Sequence, residues 1–475
     1  MLGLSAVIPG TTFCKDNPDA KSGNRKPNVI LILADDLGYE TLGCNGSLSY
    51  KTPVLDNLAT KGIRFTQCHA NPLSSPSRLS LMTGQYNYRN YEYFGYLNTS
   101  SKTFGNMMQD AGYVTAIAGK WQLNGLPNKF PSTLDPTTAN HFGFDEYCLW
   151  QLTHTRQEGE RYANPLLEKN GKVMEGLANS YGPDVLVDFI NDFVDRNKEK
   201  PFFVYYSMVL THDPFVATPD SRDWLTTEDK YNPDTAYFKD MVTYMDKNVG
   251  KIVENLKKEG LWDNTVIIFT GDNGTNVNIV SKTISGDVPG GKGFTITTST
   301  HVPLIVVWPS AIKKAAVYDG MIGFPDFLPT LANIAGADDC PYSPDGKSFM
   351  PVLKGNMSPI HDELFIHYTP GWGNFPNDRW VFNSTYKLYR DGSFFNTVND
   401  PLEQHRLISM TPEEKVIFER FDKILKDKEK DYPFEWSNAY DKNPRPGTPR
   451  FGAGALEAAP DGARPVPSAA SRGSE

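Results

Sequence analysis

Residues 26–38 read "KPNVILILADDLG". An unbroken apolar run this short, rich in β-branched residues and stopped by two aspartates, fits a strand buried on both faces. The pattern recurs three times. "YVTAIAGKW" (113–121) stops at Lys120, "PFFVYYSMVLTHDPF" (201–215) at His212 and Asp213, and "NTVIIFTGDNG" (264–274) at Asp272 and Asn273. Helical stretches separate the runs: "TPVLDNLATKGI" (52–63), "TFGNMMQDAG" (103–112) with Gly112 as its stop, "PDVLVDFINDFVDRN" (183–197) and "AYFKDMVTYMDKNVGKIVENLKKEG" (236–260). The alternation predicts an α/β fold with a large, mostly parallel or mixed central sheet flanked by helices. In such sheets ligands sit at the carboxyl ends of the strands. Four runs here end in charged or metal-competent side chains.

Beyond residue 360 the pattern changes. "ELFIHYT" (363–369) and "RWVFNSTYKLYRDGSFFNTVNDP" (379–401) read as short strands with tight turns, and "TPEEKVIFERFDKILKDKEKD" (411–431) as a helix. The expected organisation is a leader or N-terminal arm over 1–26, a catalytic domain over 27–360, a small C-terminal α+β subdomain over 361–442, and a Pro/Gly/Ala-rich disordered tail over 443–475.

The chain has 475 residues, enough for a large core, and a formal net charge of −9. That charge excludes a nucleic-acid binder working through a broad basic face, but not a local basic pocket for an anion. No apolar run approaches the ~18 residues a membrane span needs. Cys14, Cys44, Cys68, Cys148 and Cys340 form no CxxC pair, so neither a zinc knuckle nor a disulfide framework is expected. The start, "MLGLSAVIPGTTFC", is apolar without a basic n-region. It reads as the remnant of a signal peptide, and an exported protein, periplasmic or secreted, is expected.

Adjacent carboxylates such as Asp35 and Asp36 repel at a cost on the order of 4 kcal/mol at an effective dielectric near 20. A cation removes that cost, and Asp272 and Asn273 offer two more oxygen ligands. Four hard donors with no histidine triad point to Ca²⁺ or Mg²⁺ rather than Zn²⁺. Arg78, Lys120, His212 and Lys292, the last within "PGGKGF", would surround such a metal with positive charge suited to a sulfuryl or phosphoryl group. "LSSPSRLSLMTG" (73–84) reads as a helix start, with Ser75 as N-cap, Pro76 at the first position, and Ser74 at the anion-favouring mouth.

"SSPSRLSLMTG" resembles the sulfatase signature, C/S-x-P-S-R followed by an L/M-T-G ending. It stands in order between "NVILILADDLGYETLGCNG" and "GKW", with "FTGDNG", "GGKG" and "HVPLIVVWP" following. Over about residues 27–435 the chain is thus similar to the type I, formylglycine-dependent sulfatases of the alkaline-phosphatase-like superfamily, in their serine-type branch. The resemblance implies oxidation of Ser74 to formylglycine by a radical maturase. One hydroxyl of its hydrate attacks sulfur, and sulfate then leaves by elimination as the aldehyde re-forms. It further implies Ca²⁺ bound by Asp35, Asp36, Asp272, Asn273 and the oxygen of residue 74. Arg78 and Lys120 would hold the formylglycine, Lys292 the sulfate, and His212 would be the general acid.

Three positions depart from that pattern. Gln122 in "GKWQL" replaces a histidine able to take a proton from the second hydroxyl. "TTSTHVP" places His301 before the Val-Pro, as a pocket residue or a packing one. Serine rather than cysteine at 74 makes activity depend on the serine-type maturase. Substrate contacts are expected from Gln122, Asp213 and His301. The loops at 147–162 and 371–380 add His154, Arg156 and Trp372, with Trp150 and Arg379 as further candidates. The expected substrate is a sulfated carbohydrate, from algal polysaccharide or glycosaminoglycan. A phosphatase or phosphodiesterase on the same fold, and an inactive sulfated-glycan binder, are the alternatives.

Overall fold

The computed structural model describes residues 25–125, 134–154, 160–337, 340 and 342–434. Its strands are β1 (Asn28–Ala34), β2 (Ile63–His69), β3 (Val114–Lys120), β4 (Glu146–Trp150), β5 (Leu167–Lys169), β6 (Lys172–Val173), β7 (Phe202–Ser207), β8 (Thr265–Gly271), β9 (Val280–Thr283), β10 (Gly286–Pro289), β11 (His301–Val307), β12 (Ala316–Gly323), β13 (Leu364–Tyr368), β14 (Asp378–Phe382), β15 (Tyr386–Tyr389) and β16 (Phe394–Asn396).

Ten of these form one mixed sheet in the order β12-β2-β11-β8-β1-β7-β3-β4-β5-β6. β8, β1, β7, β3 and β4 pair in parallel, and β12 pairs in parallel with β2. β11 runs antiparallel between β2 and β8, so β2 points the same way as the parallel strands. Successive residues of β1 serve opposite faces. Val29, Leu31 and Leu33 enter a core shared with the helices Ser74–Thr83, Phe104–Asp110 and Phe327–Ile334. Ile30, Ile32 and Ala34 enter a second core with Gly182–Asn197 and Phe238–Lys258. Burial on both sides is why the strand shows no polar alternation.

The shared direction gathers the carboxyl ends of β1, β2, β3, β7 and β8 on one edge. β3 is brought close to β7 by Gly119 (φ +104°), where a Cβ would stand 1.8 Å from the Ser207 carbonyl oxygen. β7 ends at Ser207, five residues short of His212, so His212 and Asp213 lie on a loop beyond the strand.

The chain turns at the end of β2 into the helix Ser74–Thr83, and here the expected cap is corrected. The helix begins at Ser74 with Leu73 as N-cap, and no side chain caps it. Ser75 instead accepts the Gly95 amide at 3.0 Å. Pro76 is tolerated at the third helical position, two residues further in, because no first-turn N–H has an intrahelical acceptor.

β13–β16 form a four-stranded antiparallel sheet with the helix Pro412–Asp431 against it, as the change of pattern after residue 360 predicts. Its other face, with Tyr368, Trp380, Tyr389 and Phe395, packs on Leu73 and Phe94. The expected leader as far as residue 24 and the whole of the expected tail lie outside the described residues, within which no helix is long and apolar enough to cross a membrane.

Candidate active site

Asp35 and Asp36 follow β1 directly and are fully buried. Asp36 adopts a left-handed φ of 58°, a conformation costing a non-glycine residue ~1 kcal/mol or more and held here by its surroundings. Its amide donates to Asp272 Oδ1 at 3.0 Å, and the Asp272 amide donates to the Ala34 carbonyl at 2.9 Å. The two acidic strand ends therefore lock together through one backbone–backbone bond and one from backbone to carboxylate.

Ser74 is brought over them by the helix it begins. Its Oγ lies 3.3 Å from both Asp35 Oδ1 and Asn273 Oδ1, and accepts from Lys120 Nζ at 3.2 Å. Lys120, at the last position of β3, also donates to the two Asp35 oxygens at 3.0 and 2.9 Å. Arg78 stands one turn into the helix. Its Nε donates to Asp272 Oδ2 at 3.3 Å, and its Nη1 to the Lys120 carbonyl at 3.0 Å and to Ser207 Oγ at 2.6 Å. Its Nη2 is buried without an acceptor, 3.9 Å from Asp35 Oδ1. On the opposite side, Lys292 Nζ lies 3.0 Å from Asp36 Oδ2 and 3.1 Å from His212 Nε2. His212 Nδ1 faces the Asp213 carboxylate at 2.9 Å and its carbonyl oxygen at 2.7 Å.

These charges set one another's ionisation. Burial pushes Asp35 upward, but Lys120, His212 and Arg78 outweigh it and hold the carboxyl well below the usual range. Burial, reinforced by the charge of Asp35, raises Asp272 to about 6. Burial draws Lys120 down from its ordinary value, and Asp35 restrains the fall.

The donor set fits a hard cation. Three carboxylates, Asn273 and Ser74 share one stretch of the strand edge, with Ser74 Oγ 3.3 Å from Asp35 Oδ1 and Asn273 Oδ1 and the Asn273 Nδ2 donating to Asp36 Oδ1 at 2.8 Å. Asp36 Oδ2 is buried with no hydrogen bond, and Lys292 is its near cation. Ligand atoms of Asp35, Asp36 and His212 lie within 4.8 Å of one another. The four described cysteines, Cys44, Cys68, Cys148 and Cys340, are free, and none contacts this cluster in any hydrogen bond.

The other predicted site residues divide. Asp213 sits beside His212 and Lys292, 3.9 Å from the latter. Gln122 lies just past β3 with a φ of 49°, its amide donating to the Gln151 carbonyl at 3.2 Å. His154 is exposed, 3.4 Å from Glu168 Oε1. His301 is stacked between Tyr39 and His69 with Nε2 donating to the Thr66 carbonyl, a packing arrangement. Trp372 stacks on Phe94 at 4.7 Å. Arg379 is buried against Glu429 and the Tyr432 carbonyl, holding the C-terminal helix. Arg156 lies outside the described residues.

Sequence reading missed Ser207, which anchors Arg78 and donates to the Lys120 carbonyl. It also missed Arg161, buried over the Trp150 ring at 4.2 Å. The only signal for either was position, at the end of a buried strand and inside a quoted loop.

A helix-borne serine thus stands over the acidic and basic ends of a large mixed sheet. The sulfatase family model matches residues 27–337, and a model for the N-sulphoglucosamine sulphohydrolase C-terminal region matches 291–431. Human arylsulfatase A is 30% identical over 378 residues, 72% of this chain and 71% of that protein. Mouse N-acetylgalactosamine-6-sulfatase is 29% identical over 421 residues, 79% and 76%. The crystal structure of Ps i-CgsB with k-i-k-neocarrahexaose is 28% identical with a TM-score of 0.69, covering 89% of this chain and 98% of that one. The chain belongs to the sulfatase family, hydrolases of sulfuric esters, whose members generally use Ca²⁺ and formylglycine.

Proposed function

We propose that this protein is an exported, serine-type sulfatase that removes sulfate from a carbohydrate. Asp35, Asp36, Asp272, Asn273 and the oxygen on residue 74 would hold calcium, and Arg78, Lys120, His212 and Lys292 would do the charge and proton work. The observation that carries this reading is Ser74 Oγ at 3.2–3.3 Å from Lys120, Asp35 and Asn273 at once. Calcium there would neutralise the carboxylates and polarise a sulfate oxygen, and oxidation of Ser74 would supply the hydrated aldehyde that plain serine lacks.

The chain's own groups then have separable tasks. Lys120 and Arg78 oppose the charge that develops at residue 74, and Arg78 is fixed for this by Ser207 and Asp272. Lys292 meets the sulfate oxygens, since its ammonium lies between Asp36 and His212. Asp213 accepts from His212 Nδ1 and turns Nε2 toward Lys292. A proton on Nε2 would pass to the leaving oxygen of a bound ester, leaving Nε2 bare and the Nδ1 proton in place. The carbohydrate class is supported by relatives, among them N-acetylgalactosamine-6-sulfatase and a structure holding k-i-k-neocarrahexaose.

Elemental analysis combined with turnover tests the reading. Purified enzyme is expected to carry one calcium per chain, to lose it in Asp36→Asn, and to hydrolyse an aryl sulfate far faster than the matching phosphate. Two zinc ions per chain with phosphatase activity would overturn it in favour of a phosphohydrolase of the same fold.

A further inference from the structure

Arg161 is 8% exposed, yet neither its Nε nor its Nη1 meets an acceptor. Among the described residues no carboxylate pairs with it. The guanidinium is not loose: its Cζ lies 4.2 Å from the centre of the Trp150 ring, a cation–π contact that does not use its N–H donors. Trp150 is paired with Lys120 in the β3–β4 register, so this stack stands beside the strand that delivers Lys120. The next residue, Tyr162, is tied to the His212 loop, its hydroxyl donating to the Val209 carbonyl at 2.9 Å and also meeting that of His212. A buried cation with idle donors costs stability, and such costs persist at functional sites. A neutral hydroxyl would satisfy the donors without answering the charge; an oxyanion does both.

We propose that Arg161, held over Trp150 beside the strand that delivers Lys120, recognises a second anionic group of the substrate. The ligand is an oxyanion, a carboxylate or a second sulfate, on the sugar that carries the scissile ester or on its neighbour. The proposal rests on the sulfatase reading above and adds a specificity residue to it.

The test compares calcium-loaded, matured wild type with Arg161→Met and Arg161→Lys. The substrates are an aryl sulfate, a monosulfated neutral sugar, a disulfated monosaccharide and a monosulfated disaccharide containing a uronate. Arg161→Met is expected to lose about 10- to 100-fold in kcat/KM on a doubly anionic substrate, mostly through KM. It should stay within about twofold of wild type on the two singly charged ones, and Arg161→Lys should recover part of the loss. Which doubly anionic substrate suffers tells carboxylate from sulfate. The Tm of Arg161→Met should not fall, because no hydrogen bond is removed. An equal loss on all four substrates, or no loss on either doubly anionic one, overturns the proposal. If wild type releases no sulfate even from the aryl ester, it is the sulfatase reading that fails. Calorimetric binding of the disulfated sugar then decides Arg161 by itself: at least tenfold weaker binding in Arg161→Met supports it, and equal or absent binding in both proteins overturns it.

Discussion

Ser74 owes its place to the turn at the end of β2, and Lys292 owes its place to a glycine. Gly293 has a φ of +84°, and a Cβ there would stand 2.0 Å from the Phe375 ring. Its amide donates to the Pro72 carbonyl at 2.7 Å, and its carbonyl accepts the Tyr368 hydroxyl at 2.9 Å. Gly293→Ala is therefore expected to displace Lys292. The strain should cost ~1–3 kcal/mol in denaturant unfolding, and KM for an aryl sulfate should rise more than kcat falls. Five residues of this site were legible in the sequence because each sits where a buried strand stops, whereas Arg78 and Lys292 lie on a helix and in a glycine-rich loop. Asp35, Asp36, Lys120, Asp272 and Asn273 are all read that way. His212 was legible as a residue but not as a loop position, since Met208–Leu210 continue the apolar run after β7 has ended. Arg161 was not legible, because its meaning comes from a stack on Trp150 that sequence spacing does not encode. The helix cap was misread because an Ser-Ser-Pro-Ser run offers several starts, and burial of Leu73 chose among them.

At the scale of elements, the small antiparallel sheet does more than close the molecule. Lys387 of β15 pairs with Glu403 at 2.9 Å, both buried, and Glu403 accepts the Thr297 amide at 3.0 Å. Tyr389, also of β15, donates to the Thr295 carbonyl at 3.0 Å. These bonds grip the segment that begins at Lys292, so the second sheet holds one wall of the site. Lys387→Met leaves Glu403 as an unpaired buried charge and should cost ~3–5 kcal/mol in unfolding. The double variant Lys387→Met with Glu403→Gln should recover much of that loss, measured in the same denaturant series. The existence of this sheet was readable from the dense aromatic and β-branched runs after residue 360. Its grip on the Lys292 segment was not, because Lys387 and Glu403 are far in sequence from Thr295 and individually look like surface charges.

At the scale of the whole molecule, buried ionisable groups set how the fold answers to acid. His367 is 6% exposed, and burial, aided by Arg379 and Arg390, lowers it to about 3. The unfolded chain takes up this proton near pH 6.5 and the native state only near pH 3. Its contribution to stability is thus complete above about pH 6.5 and is lost as pH falls toward 3. Asp35, held well below its ordinary value, acts in the same direction at lower pH. Asp272, raised to about 6, and Glu40, raised to about 7, take up their protons earlier in the native state than in the unfolded chain and oppose that loss between about pH 7 and 4. Relative to wild type, His367→Phe should therefore raise the acid side of the Tm profile between about pH 6 and 4. An unchanged acid side would place the acid sensitivity elsewhere. The central claim, that an oxidised Ser74 is the nucleophile of a sulfatase, is tested most directly by sulfate release from a chromogenic aryl sulfate. The protein is made with a serine-type maturase, and wild type is assayed beside Ser74→Ala, with mass spectrometry of the residue-74 peptide in the same preparations. The account predicts turnover by wild type carrying the aldehyde, and a rate lower by ~10³-fold or more in Ser74→Ala. Wild-type turnover in Ser74→Ala would contradict it.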